Sequence, residues 1–313
     1  MTPTLRQSAL AGSPTIELSV GELTATIVPS VGMVVASLTR CGTELLGQRG
    51  GLTAYRERGS SFGIPLLYPW ANRLGGLDYV VDSTRVTLDP ATSPIRLDES
   101  GLPIHGLLTA SPLWQVEHAE ADEVGAEVVS ILAFDEHPEL LCGFPFPHAL
   151  ALTHRLDAGG LQTSLTVMPT ADTPVPISFG FHPYLAPGGD RSAWTVDLPV
   201  VTRALLDAVG LPRGEVGPAE SGPRELGSTV FDDFYPTIEP DPIFTVSSSA
   251  CTLEIAFDAA YPHAQVYSPV DADFICFEPM TAPVNALRSG DDLRLVAPGD
   301  VFTATFRIDV TGA

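Results

Sequence analysis

Two residues in this chain stand in company that ordinary burial rules disfavour. His182 lies inside FGFHPYL (179–185), between aromatic rings, with Pro183 fixing the chain behind it. Glu278 lies inside FICFEPMTAPVNAL (274–287), after four apolar residues and ahead of Pro279. Burying a carboxylate costs several kcal/mol unless it is paired or hydrogen-bonded. Imidazole is the side chain that most readily changes charge near neutral pH. His182 therefore reads either as a core histidine satisfied by backbone or as a proton donor on a rigid mount. Glu278 reads either as a strand-end residue turned to solvent or as a buried base. Together, a carboxylate and a histidine suit general acid–base chemistry on a small molecule.

Three further stretches place polar groups among apolar ones. YPWANRLGG (68–76) carries Asn72 and Arg73, LPIHGLL (102–108) carries His105, and VFDDFYP (230–236) carries Asp232 and Asp233. A metal triad of His105, His182 and a carboxylate is an alternative, but neither HxH nor HExxH spacing supports it. Covalent catalysis has no support: there is no GxSxG elbow, and Cys41, Cys142, Cys251 and Cys276 are scattered, without a CxxC pair. The remaining histidines, His118, His137, His148, His154 and His263, read as ordinary surface or strand residues.

The elements that must position these groups are strands. In IELSVGELTATIV, Ile16, Leu18 and Val20 share one face, and Leu23, Ala25 and Ile27 share a face after the Gly21–Glu22 turn. A second hairpin runs through ALALTHRLDAGGLQTSLTV, turning at Ala158-Gly159-Gly160, and VFTATFRIDV forms the last strand. No long window carries an uninterrupted helical period. The 28 Gly and 29 Pro are dispersed, as many turns require. The pattern predicts an all-β fold, an antiparallel sandwich or barrel, over residues 1–313 as one domain. Residues 208–242 read as a long surface excursion.

Composition narrows the partners. Asp and Glu number 38 against 16 Arg, with no Lys, for a formal charge of −22. Such a balance disfavours nucleic acid and anionic membranes and favours a neutral ligand. Without lysine, Schiff-base chemistry and the Walker A phosphate loop are impossible. The polar start MTPTLRQSAL has no signal-peptide core, and no apolar run reaches spanning length, so a cytoplasmic protein with reduced thiols is expected. Oligomeric state is not set by the sequence.

Taken in order, PWANRLGG, IHGLL, FGFHPYL, FDDFYP, QVYSP and FEPMTAPVNAL resemble the aldose 1-epimerase (galactose mutarotase-like) family, over about residues 16 to 310. The resemblance implies a large antiparallel β-sandwich whose concave face holds a monosaccharide. It implies no metal and no organic cofactor, and interconversion of the α and β anomers of free aldoses. It carries the catalytic base onto Glu278 and the catalytic acid onto His182. Sugar binding falls to Arg73, His105 and Asp232, with Asn72 beside them and Asp233 as the alternative to Asp232. On this reading Glu278 is ionised at neutral pH and His182 can be protonated where anionic neighbours favour it; its apolar wall opposes that charge, so a carboxylate or carbonyl partner, unidentified in the sequence, is needed. Residues 184–187 read YLAP where typical galactose mutarotases have YFNL, so the sugar is open. Related enzymes of hexose 6-phosphates add basic residues; here Arg40, Arg49, Arg56, Arg58 and Arg96 would have to converge in space. The rival readings are such a sugar-phosphate mutarotase, a glycoside hydrolase using Asp232 and Glu278, and a non-catalytic sugar-binding protein.

Overall fold

A computed structural model describes residues 2–312 of the chain. Strands dominate, and the only α-helices among the described residues are the short segments Gly51–Arg58, Pro138–Leu141 and Ala286–Ser289. Both expected hairpins form. Ser13–Val20 pairs with Leu23–Val28 in a five-stranded N-terminal meander, and His148–Asp157 pairs with Gly160–Pro169. The alternation is what folds them: Leu150, Leu152, His154 and Leu156 all lie on one buried face. Each fully buried Leu contributes roughly 1.5–3 kcal/mol relative to exposure.

Two antiparallel sheets make the sandwich. One has nine strands, in the order Gln115–Ala121, Gly125–Ala133, His148–Asp157, Gly160–Pro169, Phe302–Gly312, Cys251–Phe257, Ile243–Ser247, Thr195–Asp197 and Arg224–Glu225. The other has six: Phe231–Tyr235, His263–Ser268, Ile275–Met280, Gly180–Phe181 and Leu66–Leu67 in order, with Tyr184–Leu185 also pairing Ile275–Met280. Their inner faces meet through aromatic pairs. Phe277 packs on Phe244 with ring centroids 5.4 Å apart, and Phe181 packs on Phe306 at 5.0 Å. No helix among the described residues is long and apolar enough to cross a membrane.

The stretch 208–242 differs from its expected form as a surface excursion. It contains the strands Pro212–Pro218, Arg224–Glu225, Phe231–Tyr235 and Thr237–Ile238. Pro212–Pro218 pairs with Val200–Leu206 and is mostly exposed, so nothing enforces an apolar alternation there. Phe231–Tyr235 is an edge strand of the six-stranded sheet.

Candidate active site

The six-stranded sheet has one face on the core and one on a cavity, and strand periodicity sorts the side chains between them. Glu278 does not end its strand, as its position before Pro279 suggested; it lies inside Ile275–Met280, opposite Gln265. Phe277 faces the core, so Glu278 faces the other way and lines the cavity. His182 arrives from the neighbouring side. Gly180 pairs with Met280 and Tyr184 with Cys276, a register that sets His182 opposite Glu278 where the partner strand is interrupted. At the interruption the His182 N–H donates instead to the Pro65 carbonyl, 3.0 Å away. The outcome is a contact of 3.2 Å between His182 Nε2 and Glu278 Oε1, with both residues buried.

Tyr184 stacks on the His182 ring at 4.3 Å between centroids, and its hydroxyl oxygen lies 3.4 Å from Nε2. His105 meets His182 edge-on at 5.6 Å. His105 and Asn72 both have left-handed backbone, at φ of 63° and 53°. The His105 N–H donates to the Asn72 carbonyl at 2.9 Å, which ties these two conformations together. Non-glycine residues in this region are uncommon and concentrate at functional sites. Gly106 follows His105, also at positive φ, and any Cβ there would collide with the Tyr68 carbonyl.

Arg73 is held rather than free. Its Nε donates to Asp98 at 2.6 Å and its Nη1 to the Asn72 side-chain oxygen at 3.3 Å. Asp232 sits exposed at the rim and accepts from Gln265 Nε2 at 2.8 Å. Asp233 points elsewhere, 3.4 Å from Arg203. The cavity measures about 340 Å³ and is lined by Asn72, Arg73, His105, His182, Asp232 and Glu278 together with Gln265, Tyr184 and Tyr267. That volume falls within the ordinary range for small-ligand sites, ~300–1,000 Å³. Every residue expected at the site is therefore gathered in one cavity. Gln265, Tyr267 and Asp98 were not singled out from sequence. Gln265 and Tyr267 sit in the quoted QVYSP stretch, at alternate positions that share a sheet face. Nothing in the sequence marks Asp98 as the anchor of Arg73.

Protonation runs opposite to the sequence expectation. Burial raises Glu278 well above the usual carboxylate range; Asp232 adds to the rise and Arg73 opposes it. Burial also pushes His182 well below its ordinary value, with His105 contributing. His105 is held down to about 3 by desolvation, then by Arg73 and Arg96. Burial thus disfavours the charged form of both Glu278 and His182. The partner that sequence left unidentified for His182 is Glu278 itself. The 3.2 Å contact would let a proton pass between the two side chains.

The fold is thus two facing antiparallel sheets with a polar cavity on the outer face of one. The chain belongs to the aldose 1-epimerase family, whose model matches residues 14–309. It is 26% identical over 304 residues to the uncharacterized protein YihR of Escherichia coli K12, covering 94% of this chain and 92% of that one. The fold matches a galactose mutarotase-like protein from Clostridium acetobutylicum with a TM-score of 0.88, at 16% identity, over 100% of this chain and 99% of that one. It also matches a galactose 1-epimerase from Lactobacillus acidophilus, with a TM-score of 0.79 at 14% identity and the same coverage.

Proposed function

We propose that the protein is a mutarotase, interconverting the α and β anomers of a monosaccharide by general acid–base catalysis, with Glu278 as base and His182 as acid. The observation that carries this reading is the 3.2 Å contact between the two in a cavity lined by polar side chains.

The reaction needs one mobile proton at each end of a hemiacetal, and the pair can supply it. In the reactive tautomer the proton sits on His182 and Glu278 is a carboxylate. Glu278 takes the proton from the C1 hydroxyl as that oxygen becomes a carbonyl. The C1–O5 bond breaks, its electrons pass to O5, and O5 takes the proton from His182. The pair is left as Glu278 acid and neutral His182, the uncharged forms that burial favours. Rotation about C1–C2 exposes the other carbonyl face, and the reverse steps close the ring. Total charge on the pair is unchanged throughout, so the buried site never carries a net charge that desolvation would oppose. Arg73, His105 and Asp232 hold ring hydroxyls in place around this exchange.

The test is polarimetry of freshly dissolved α-glucose and α-galactose. Enzyme should accelerate the approach to anomeric equilibrium in proportion to its concentration. No acceleration with any aldose, phosphorylated or not, would overturn the reading. The charge balance favours a neutral sugar, but two arginines at the cavity mouth bear on that choice.

A further inference from the structure

The sugar cavity opens into a second, outer basin of about 620 Å³ that shares Arg73, Glu99, Ile104, His105, Asp232 and Tyr267 with it. Arg58 and Arg96 line the outer basin only. Of the five arginines that would have to converge, these two do. Arg40 pairs with Glu22 and Arg49 with Asp271, so those two are spoken for elsewhere.

Arg96 is placed by a two-residue ladder, in which it lies opposite Ile104, the residue just before His105. Its guanidinium lies over Gly59, the left-handed cap that ends helix Gly51–Arg58, where any side chain would collide with Nη1. Arg58 is the last residue of that helix. Arg96 is half-buried, and burial pushes it down from its ordinary value. Among the described residues, neither Arg96 nor Arg58 has a carboxylate partner within salt-bridge distance, and neither guanidinium donates a hydrogen bond to protein. Glu99 also lines the basin, but it is exposed and pairs with neither. Other arginines, Arg56 and Arg213 among them, also lack a carboxylate partner; what distinguishes Arg58 and Arg96 is that they line one basin beside the cavity. A half-buried cation without a partner is disfavoured until an anion joins it, and Arg is the side chain best suited to grip an oxyanion bidentately.

We propose that Arg58 and Arg96 form an oxyanion subsite, and that the substrate is an aldose bearing a phosphate or carboxylate at the end remote from C1. This rests on the mutarotase reading, which puts C1 and O5 at Glu278 and His182. The far end of the sugar then points out past His105 toward Arg96. The overall charge of −22 does not exclude such a ligand. Net-charge repulsion is screened over ~8–10 Å near physiological ionic strength, whereas a contact pair inside a cleft is screened much less.

The experiment compares kcat/KM for glucose 6-phosphate and for glucuronate with that for glucose, at low and moderate salt. Binding of inorganic phosphate is measured separately by calorimetry. In the unaltered protein at least one anionic sugar should be preferred tenfold or more at both salt levels. Preference for the phosphate or for the carboxylate identifies the group, and either fulfils the proposal. Arg96→Gln should lower the anionic-to-neutral ratio at least tenfold, Arg96→Lys should restore part of it, and Arg58→Gln, on the exposed helix end, should lower it severalfold. A ratio below one for both anionic sugars, or a ratio that neither substitution moves, overturns the subsite. Phosphate binding that is lost in Arg96→Gln, in a protein that accelerates no anomer exchange, would uphold the subsite and overturn the mutarotase reading instead.

Discussion

The two sheets of the sandwich share a core but not a construction. The nine-stranded sheet is built on long, regular strands: His148–Asp157 and Gly160–Pro169 run ten residues each, and Phe302–Gly312 runs eleven. The six-stranded sheet is broken next to its centre, where Gly180–Phe181 and Tyr184–Leu185 are two-residue strands flanking His182. A regular ladder uses every backbone N–H and C=O in pairing and leaves side chains only two faces to occupy. An interruption frees one residue from the ladder, and the surrounding strands hold it from both sides. The proposed acid–base pair sits at that break: Glu278 on the continuous strand, His182 in the gap. On the proposed function, the regular sheet supplies rigidity and the interrupted one supplies the chemistry.

The sharpest way to break this division is to substitute once in each sheet. Glu278→Gln and His182→Asn should each lower kcat by ~10²–10⁴, the usual contribution of a general acid or base, while unfolding stays cooperative. Leu165→Ala, at a fully buried position of the nine-stranded sheet, should cost ~2–5 kcal/mol of stability. At temperatures where that variant is folded, its kcat should stay within about twofold of the parent. A kcat loss in Leu165→Ala comparable to that of Glu278→Gln would show that the regular sheet shapes the site directly.

The same division explains what was legible beforehand. Period-2 alternation marked the hairpins at 16–27 and 150–167 because one face of each is buried continuously. It did not mark Pro212–Pro218, which is exposed, and it left Glu278 open between a solvent-facing strand end and a buried base, a choice decided by the strand continuing through Pro279. Each of the site residues Asn72, Arg73, His105, His182, Asp232 and Glu278 was visible as a polar group in apolar surroundings. Their protonation was not, because it depends on burial and on the 3.2 Å approach of two residues 96 positions apart in the chain. Nor was the meeting of Arg58 with Arg96, which depends on a helix end and a two-residue ladder reaching the same basin.

A smaller effect separates a neutral pair from an ion pair. Glu278 binds its proton more tightly in the folded state, so above its unfolded value near 4.5 stability falls as pH rises toward the folded value. His182 acts in the opposite sense. Its folded value lies below 6.5, so stability rises with pH through that window and levels off above it. Glu278→Gln removes the first contribution and keeps the second. Relative to the parent, the variant should gain stability between pH 4 and pH 7, by about 1.4 kcal/mol per unit of Glu278 shift. Denaturant midpoints at the two pH values measure it. A difference that does not grow with pH would mean that folding does not raise Glu278 above its ordinary range.

The smallest expected effect lies at the edge strand Phe231–Tyr235, where consecutive aspartates face opposite ways. Asp232 shares its face with Tyr267 and Gln265 and opens on the cavity, while Asp233 turns to Arg203. If Asp232 accepts a sugar hydroxyl, Asp232→Asn should raise KM about threefold to tenfold with little change in kcat, since one hydrogen bond is worth ~0.5–1.5 kcal/mol. Asp233→Asn should leave both constants within twofold, because a partly exposed pair with Arg203 is worth ~0–1 kcal/mol and touches no sugar. Initial rates over a range of aldose concentrations distinguish the two. The reverse order of effects would mean that the strand shifts by one residue when sugar binds, exchanging the faces of the two carboxylates. Equal and negligible effects would place the sugar's polar contacts on Arg73 and His105 alone.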